Sequence, residues 1–397
     1  MFKKRGTPRA AGGFLSQHHF LTASSMLTGT VIGAGILGIP YVVAKAGFWY
    51  GAILIFLLGL AYLFLHLSLG EIVIRTKKQY QLTGYAGKYL GPLGKKIMTL
   101  SLFITLHGAL IAYLIGEGAT LHFLFKIGSP LMYSLLFFLI ASFIVSRGIK
   151  TTGRTELLLT IVLVIVVLFI GLFSLENINT AELTFFHPLF FFLPYGVILF
   201  AFHGTPAIPE MQEELGKNKK HLRKAILLGS SIPIVVYLLF SFVIVGIVGL
   251  ENFEKLAPNE RIATIALSIY SSTLLGYLAN ILAMLSMFTS YLTISLALRE
   301  IYEYDYNLSR RTAFILTSLI PLLIVLFNVT SFITIIMITG AFIGGLEGSL
   351  IILMFWKAKK NGDRIPEYSL KFPYFLGLIL LLLFVLGIIY QFWDFFF

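Results

Sequence analysis

The sequence predicts an all-α polytopic membrane protein of eleven transmembrane helices, two of them interrupted. Three observations carry this: long apolar runs, a one-sided distribution of basic residues between them, and paired Gly/Pro interruptions in the first and sixth runs. Of the 397 residues, 58% are hydrophobic and 12% charged, with a mean hydropathy of +0.91. A soluble chain of that length needs more polar surface to cover its core. The apolar residues also cluster in runs such as Leu157–Leu172 and Leu376–Tyr390. Runs near ~20 residues match a hydrocarbon core about 30 Å thick.

Clusters of Gly, Pro, Lys and Asn divide the runs. They predict spans over 20–46, 48–74, 97–124, 130–147, 154–174, 188–215, 223–249, 261–300, 310–328, 331–356 and 372–393. The eighth is longer than a bilayer requires and is expected to tilt or project. Between spans 2 and 3, Gly84–Leu93 reads as an amphipathic surface element carrying Tyr85 and Tyr89.

Charge tests this division. Of the 30 Lys and Arg, only Lys45, Lys126, Lys255 and Arg261 fall in segments on one side; all the others fall on the opposite side or in the N-terminal tail. Basic residues concentrate in cytoplasmic loops. The N-terminus is therefore expected inside and Asp394–Phe397 outside. The net charge of +12 is accounted for by topology, so nucleic acid is not a predicted partner; the lipid bilayer is. The chain has no cysteine, which excludes disulfides and thiolate metal sites. Met1–Ser16 is short and basic with no cleavage pattern behind it, so the first span reads as mature helix.

The first interruption is Gly29-Thr-Val-Ile-Gly33-Ala-Gly35-Ile-Leu-Gly38-Ile-Pro40, and the second is Phe200-Ala-Phe-His203-Gly204-Thr205-Pro206-Ala-Ile-Pro209-Glu210. Gly and Pro weaken helices, and Pro also removes a backbone donor. In lipid, the polar groups released must line a cavity or meet a ligand. Both segments read Gly-x-x-small-Ile-Pro, at Gly35–Pro40 and Gly204–Pro209, five spans apart. An odd offset inverts the repeat in the membrane, and paired interruptions of this kind point to the binding site of a secondary transporter.

The chemistry follows from helix ends. A half-helix starting near Ile36 presents the amides of Gly33, Ala34, Gly35 and Ile36 to an anion. The carbonyls of Phe200, Ala201 and His203 end the first half of span 6 and accept from an ammonium group. An anion site beside a cation site suits a zwitterionic amino acid. With Thr205 in the break and Tyr113 on span 3 within reach of a carboxylate, these residues form the predicted binding set.

Several ionisable residues lie inside predicted spans. Glu117 follows Tyr113 by one helical turn; it reads either as a carrier of a coupling proton or as a protonated structural carboxyl. His203 reads as a titrating group or as a capping donor. Glu347, in Gly344-Gly-Leu-Glu-Gly348, has the same two readings. His66 and His107 read as structural. No metal, nucleophile or acid–base constellation of an enzyme is present, and no cofactor is expected.

These residues resemble the amino acid/auxin permease and hydroxy/aromatic amino acid permease group of the amino acid–polyamine–organocation superfamily. The matching stretches are Gly29–Pro40, Phe200–Gly249 and Thr289–Tyr302. The most specific piece is Lys219-x-x-Leu-Arg-Lys-Ala-Ile-x-x-Gly-Ser-x-Ile-Pro233 followed by Tyr237-Leu-Leu. The resemblance implies a five-plus-five inverted repeat: a tail 1–19, repeats 20–174 and 188–356, and an eleventh helix with an external terminus over 372–397. It implies a prokaryotic inner-membrane protein that takes up a neutral L-amino acid with Na⁺ or H⁺, or else an exchanger without ion coupling. At Gly204-Thr-Pro-Ala the sequence departs from the commonest aromatic-permease version, so aromatic and other neutral substrates both stay open.

In the sodium-coupled branch, hydroxyls of span 8 and carbonyls of span 1 surround the ion. The corresponding candidates are Ser286, Thr289 and Ser290, which share one helix face, with the carbonyls of Gly29 and Ile32. Proton-coupled relatives can place a span-5 lysine there. Leu157–Leu172 holds none, so Na⁺ is the expected ion, with protons on Glu117 or His203 as the rival.

Overall fold

The computed structural model describes residues 19–147, 178–216, 218–271, 273–304, 306–371 and 374–396, with isolated positions between 158 and 176. The fifth predicted span falls almost wholly outside the described residues. Among the described residues every regular element is helical. In order, the α-helices are α1 (His19–Val31), α2 (Gly35–Ala46), α3 (Phe48–Arg75), α4 (Leu82–Phe125), α5 (Pro130–Arg147), α6 (Leu193–Ala201), α7 (Ala207–Leu215), α8 (Leu222–Lys255), α9 (Ala263–Tyr270), α10 (Thr273–Tyr304), α11 (Arg310–Leu326), α12 (Phe332–Phe342), α13 (Ser349–Asn361) and α14 (Tyr374–Phe396). A π-helical turn, Ile343–Gly348, joins α12 to α13. Among the described residues, seven helical stretches are long and apolar enough to cross a membrane, and eight if α1 and α2 count as one bent span.

The molecule is a protein with two solvents. Leu139, Leu382 and Phe143 lie open to the outside on α5 and α14. In water such surface would drive association, but against lipid it is at home. Inside, α4 is the central strut, packed on α5, α10, α11, α12 and α13, while α3 lies along α8. A close crossing joins α6 to α12: a Cβ on Gly340 would stand 1.8 Å from the Gly196 carbonyl oxygen, so only glycine permits it.

Three boundaries differ from the sequence reading. The Gly84–Leu93 surface element is the first part of α4, which continues through a kink at Gly91-Pro92 where φ is +78°. Its Tyr85 and Tyr89 are buried against the protein, while Leu93 at its end is exposed. The long eighth span is two helices, because Ser271 adopts an extended conformation and ends α9 before α10 begins. The tenth span is interrupted by the π turn, which nothing in its hydropathy announces.

Beyond the kink at Gly249, the last turns of α8 and the segment leading to α9 lie against the C-terminal end of α2. Glu254 there pairs with Lys45 (3.0 Å) and Arg261 (3.1 Å), and Arg261 also donates to the Tyr41 hydroxyl (3.0 Å). Two of the four basic residues on the sparsely charged side thus serve one carboxylate.

Candidate substrate and ion site

The first break forms as its glycines predict. Ile32 N–H still reaches the Thr28 carbonyl (2.8 Å), but Gly33 N–H turns to Val31 (2.9 Å), and the chain bends by 52° before α2 starts at Gly35. Among the described residues, the amides of Ala34, Gly35 and Ile36 make no backbone hydrogen bond, nor do the carbonyls of Gly29 and Ile32. These are the free donors and acceptors expected of a helix interruption.

The second break leaves α6 at Ala201. Phe202 N–H returns to Ile198 (3.0 Å) and His203 N–H to the Phe200 carbonyl (3.2 Å); α7 then starts after Pro206. The two breaks cross. A Cβ on Gly35 would come within 2.5 Å of the Ala201 Cα, so the start of α2 lies directly on the end of α6. At Gly33 a Cβ would meet nothing nearer than the Tyr113 hydroxyl at 3.6 Å, an ordinary contact. The sequence motif treats the two glycines alike; the protein's own packing bars a side chain only at Gly35.

Tyr237 on α8 ties the breaks together. Its buried hydroxyl lies 2.7 Å from the Val31 carbonyl and 2.8 Å from the Ala201 carbonyl, and shares its single proton between them. Its motif is visible in the sequence, but its role is not. The available signal is the single tyrosine of the apolar run 223–249.

The remaining candidates separate into two groups. Tyr113 is buried on α4 beside Gly33, and its hydroxyl bonds to Ser290 of α10. Ser286 and Thr289 share that stretch of α10, but the Thr289 hydroxyl is turned onto its own helix, at the carbonyls of Leu285 (3.2 Å) and Ser286 (3.1 Å). Of the expected cation cage of Gly29, Ile32, Ser286, Thr289 and Ser290, the Thr289 hydroxyl is thus spent on its own helix. Glu117, a turn beyond Tyr113, is fully buried, and among the described residues neither carboxylate oxygen has a hydrogen-bond partner.

His203 and Thr205 form the second group with Glu347, which the π turn carries in from span 10. His203 Nε2 stands 3.1 Å from Glu347 Oε1 and 3.0 Å from the Thr205 hydroxyl, and that hydroxyl donates to the same Oε1. Among the described residues no cluster of His, Asp and Glu has the arrangement of a metal centre.

Comparison with known proteins assigns this architecture. The description of the tryptophan/tyrosine permease family fits residues 16–393. The chain belongs to that family. This permease is 27% identical to tyrosine-specific transport system 1 of Haemophilus influenzae over 364 residues, covering 86% of this chain and 88% of that one. It is also 27% identical to glutamine transporter 2 of Aliivibrio fischeri, covering 75% and 78% of the two chains. Among solved structures, MhsT in complex with L-phenylalanine superposes with a TM-score of 0.64 at 17% identity, over 98% of this chain and 99% of that chain. A manganese transporter of Eremococcus coleocola superposes with a TM-score of 0.66 at 14% identity, over 97% and 89%. The permease is a multi-pass membrane transport protein with a transporter fold, not an enzyme, and its family carries amino acids.

Proposed function

We propose that this permease is a secondary active transporter that carries a neutral L-amino acid across the inner membrane by alternating access, coupled to a monovalent cation. The crossing of the two breaks at Gly35 and Ala201 carries the reading. It sets the free amides of Ala34–Ile36 beside the carbonyls that end α6, with Tyr113 and Tyr237 adjacent. A carboxylate and an ammonium group on one small molecule match that pair of helix ends. On this reading residues 20–174 and 188–356 are the inverted repeats of the amino acid–polyamine–organocation superfamily, and the N-terminus is cytoplasmic.

The names of the relatives supply the substrates to try: tyrosine, tryptophan and glutamine. For the ion, the free carbonyls of Gly29 and Ile32 support Na⁺, which would require Thr289 to rotate off its own helix. The buried carboxylates of Glu117 and Glu347 support H⁺. Uptake of the three amino acids into proteoliposomes, under an imposed Na⁺ or pH gradient, tests the proposal. Saturable accumulation above equilibrium under one gradient is expected. Exchange against internal amino acid without any accumulation would show an uncoupled exchanger instead, and no movement of any of the three would reject amino acid transport.

A further inference from the structure

Glu347 sits in the middle of the helix packing rather than at an end of a span. It is 1% exposed, in a helix facing α4 and α6, and is drawn toward the span-6 break by a π turn. Such a turn admits one extra residue, rotating the rest of the helix by about 100° relative to an unbroken α-helix. Glu347 Oε1 takes the Thr205 hydroxyl and stands 3.1 Å from His203 Nε2, while Oε2 is buried with no hydrogen-bond partner among the described residues. A fully ionised carboxylate would be poorly served here, since half of its acceptor capacity is buried and empty.

The neighbours do not supply a compensating cation. From α3, Tyr62 and His66 face the cluster; the Tyr62 hydroxyl is buried and unbonded, and His66 is held through Nδ1 by Ser230 of α8 at 3.0 Å. From α6, Tyr195 lies within electrostatic reach of Tyr62, with its own hydroxyl given to the Leu383 carbonyl. Among the described residues no Lys or Arg side chain hydrogen-bonds or ion-pairs with Glu347. With a neutral imidazole and an ionised carboxyl the cluster therefore carries one buried negative charge; one added proton makes it neutral. Membrane interiors strongly favour the neutral form, which makes such a group a natural proton carrier. Access is graded to match, since the His203 side chain is 12% exposed and Glu347 is 1% exposed.

From this geometry we infer that Glu347, His203 and Thr205 form a proton-binding site between the span-6 break and the π turn of span 10. A proton from water binds Nδ1 of His203, and the proton on Nε2 passes to Oε1 of Glu347. Imidazole and carboxyl are both left neutral, and release runs the same two transfers backwards. Ionised, Oε1 is a strong acceptor that holds Thr205 and His203 against span 10 through charge-assisted bonds; protonated, it holds them less tightly. Loading and unloading one proton thus changes how firmly the break is tied to its neighbour. This rests on the transport reading for its consequence, but not for the existence of the site.

The test has two arms on the full chain in liposomes. Infrared difference spectra across a pH titration read carboxyl protonation with no substrate present. A titrating carboxyl C=O band is expected in the wild type, absent in Glu347→Gln and displaced in Glu347→Asp, the latter guarding against a folding defect in the first variant. Thr205→Val, which removes one donor, should move the midpoint of that titration, whereas Thr205→Ser should not. A band unchanged in Glu347→Gln overturns the site. In the second arm, L-tyrosine, L-tryptophan and L-glutamine are offered under a pH gradient. Accumulation should fall about tenfold or more in Glu347→Gln, a loss of coupling read as a rate difference against the wild type. Accumulation that survives in Glu347→Gln, or that follows Na⁺ and ignores pH, overturns the coupling role. A titrating Glu347 in a protein that moves none of the three amino acids would uphold the proton site and reject the transport reading.

Discussion

Gly33 and Gly35 look equivalent in the sequence and are not equivalent in the fold. A Cβ at position 35 collides with backbone of α6, which cannot yield as a side-chain tip can. Overpacking of this kind costs about 1–3 kcal/mol, and here it would also push the two breaks apart. Gly35→Val should therefore lower the melting temperature in detergent and abolish uptake, while Gly33→Ala should melt as the wild type does. A Gly33→Ala protein that folds but fails to transport would show that the ligand itself needs the space. Tyr237→Phe makes a sharper point, because it removes one oxygen and no volume. Two buried carbonyls lose their shared donor, at a cost of about 1–3 kcal/mol. A melting temperature equal to that of the wild type would mean that water replaces the hydroxyl.

At the scale of elements, the segment 362–371 between α13 and α14 is fastened to the C-terminal end of α3. Glu71 is fully buried there and accepts from Arg75 Nε (2.8 Å), the Leu370 amide (2.6 Å) and the Ser369 hydroxyl (3.1 Å), with Lys359 Nζ at 3.3 Å. Asp363 makes the second fastening. The hydrogen bond from Lys88, and then the Lys77 amide, hold its carboxyl below the usual range. A depressed carboxyl contributes stability that is complete above the ordinary Asp value of about 3.9 and is lost as pH falls through the lower, folded-state value. Asp363→Asn should thus lower the melting temperature at neutral pH, and the gap to the wild type should close in strong acid. Thermal melts across pH decide it: a gap that persists at the acid end would mean that Asp363 acts by packing.

At the scale of the whole molecule, the charge asymmetry is a statement about orientation. Lys255 is well exposed on the sparsely basic side, beyond the kink at Gly249, and Lys360 is exposed at the end of α13. The chain has no cysteine of its own, so single substitutions report cleanly. Lys255→Cys should react with a membrane-impermeant maleimide in intact cells, and Lys360→Cys only after permeabilisation. The reverse pattern would invert the topology.

The all-helical membrane class and the places where spans 1 and 6 break were legible in the sequence, because each depends on local chemistry. Lipid demands apolar runs, and Gly and Pro remove the donors and rigidity a helix needs wherever they occur. The partners across the site were not legible. Tyr237 meets a carbonyl 206 residues away, and His203 meets a carboxylate 144 residues away. Glu347 faces the break only because a π turn shifts the phase of its helix, and an α-helical projection of the same residues assigns it another direction. Thr289, read as part of a cation cage, spends its hydroxyl on its own backbone. Hydropathy says which residues leave water; only the packing of one helix on another decides which of the polar groups among them meet.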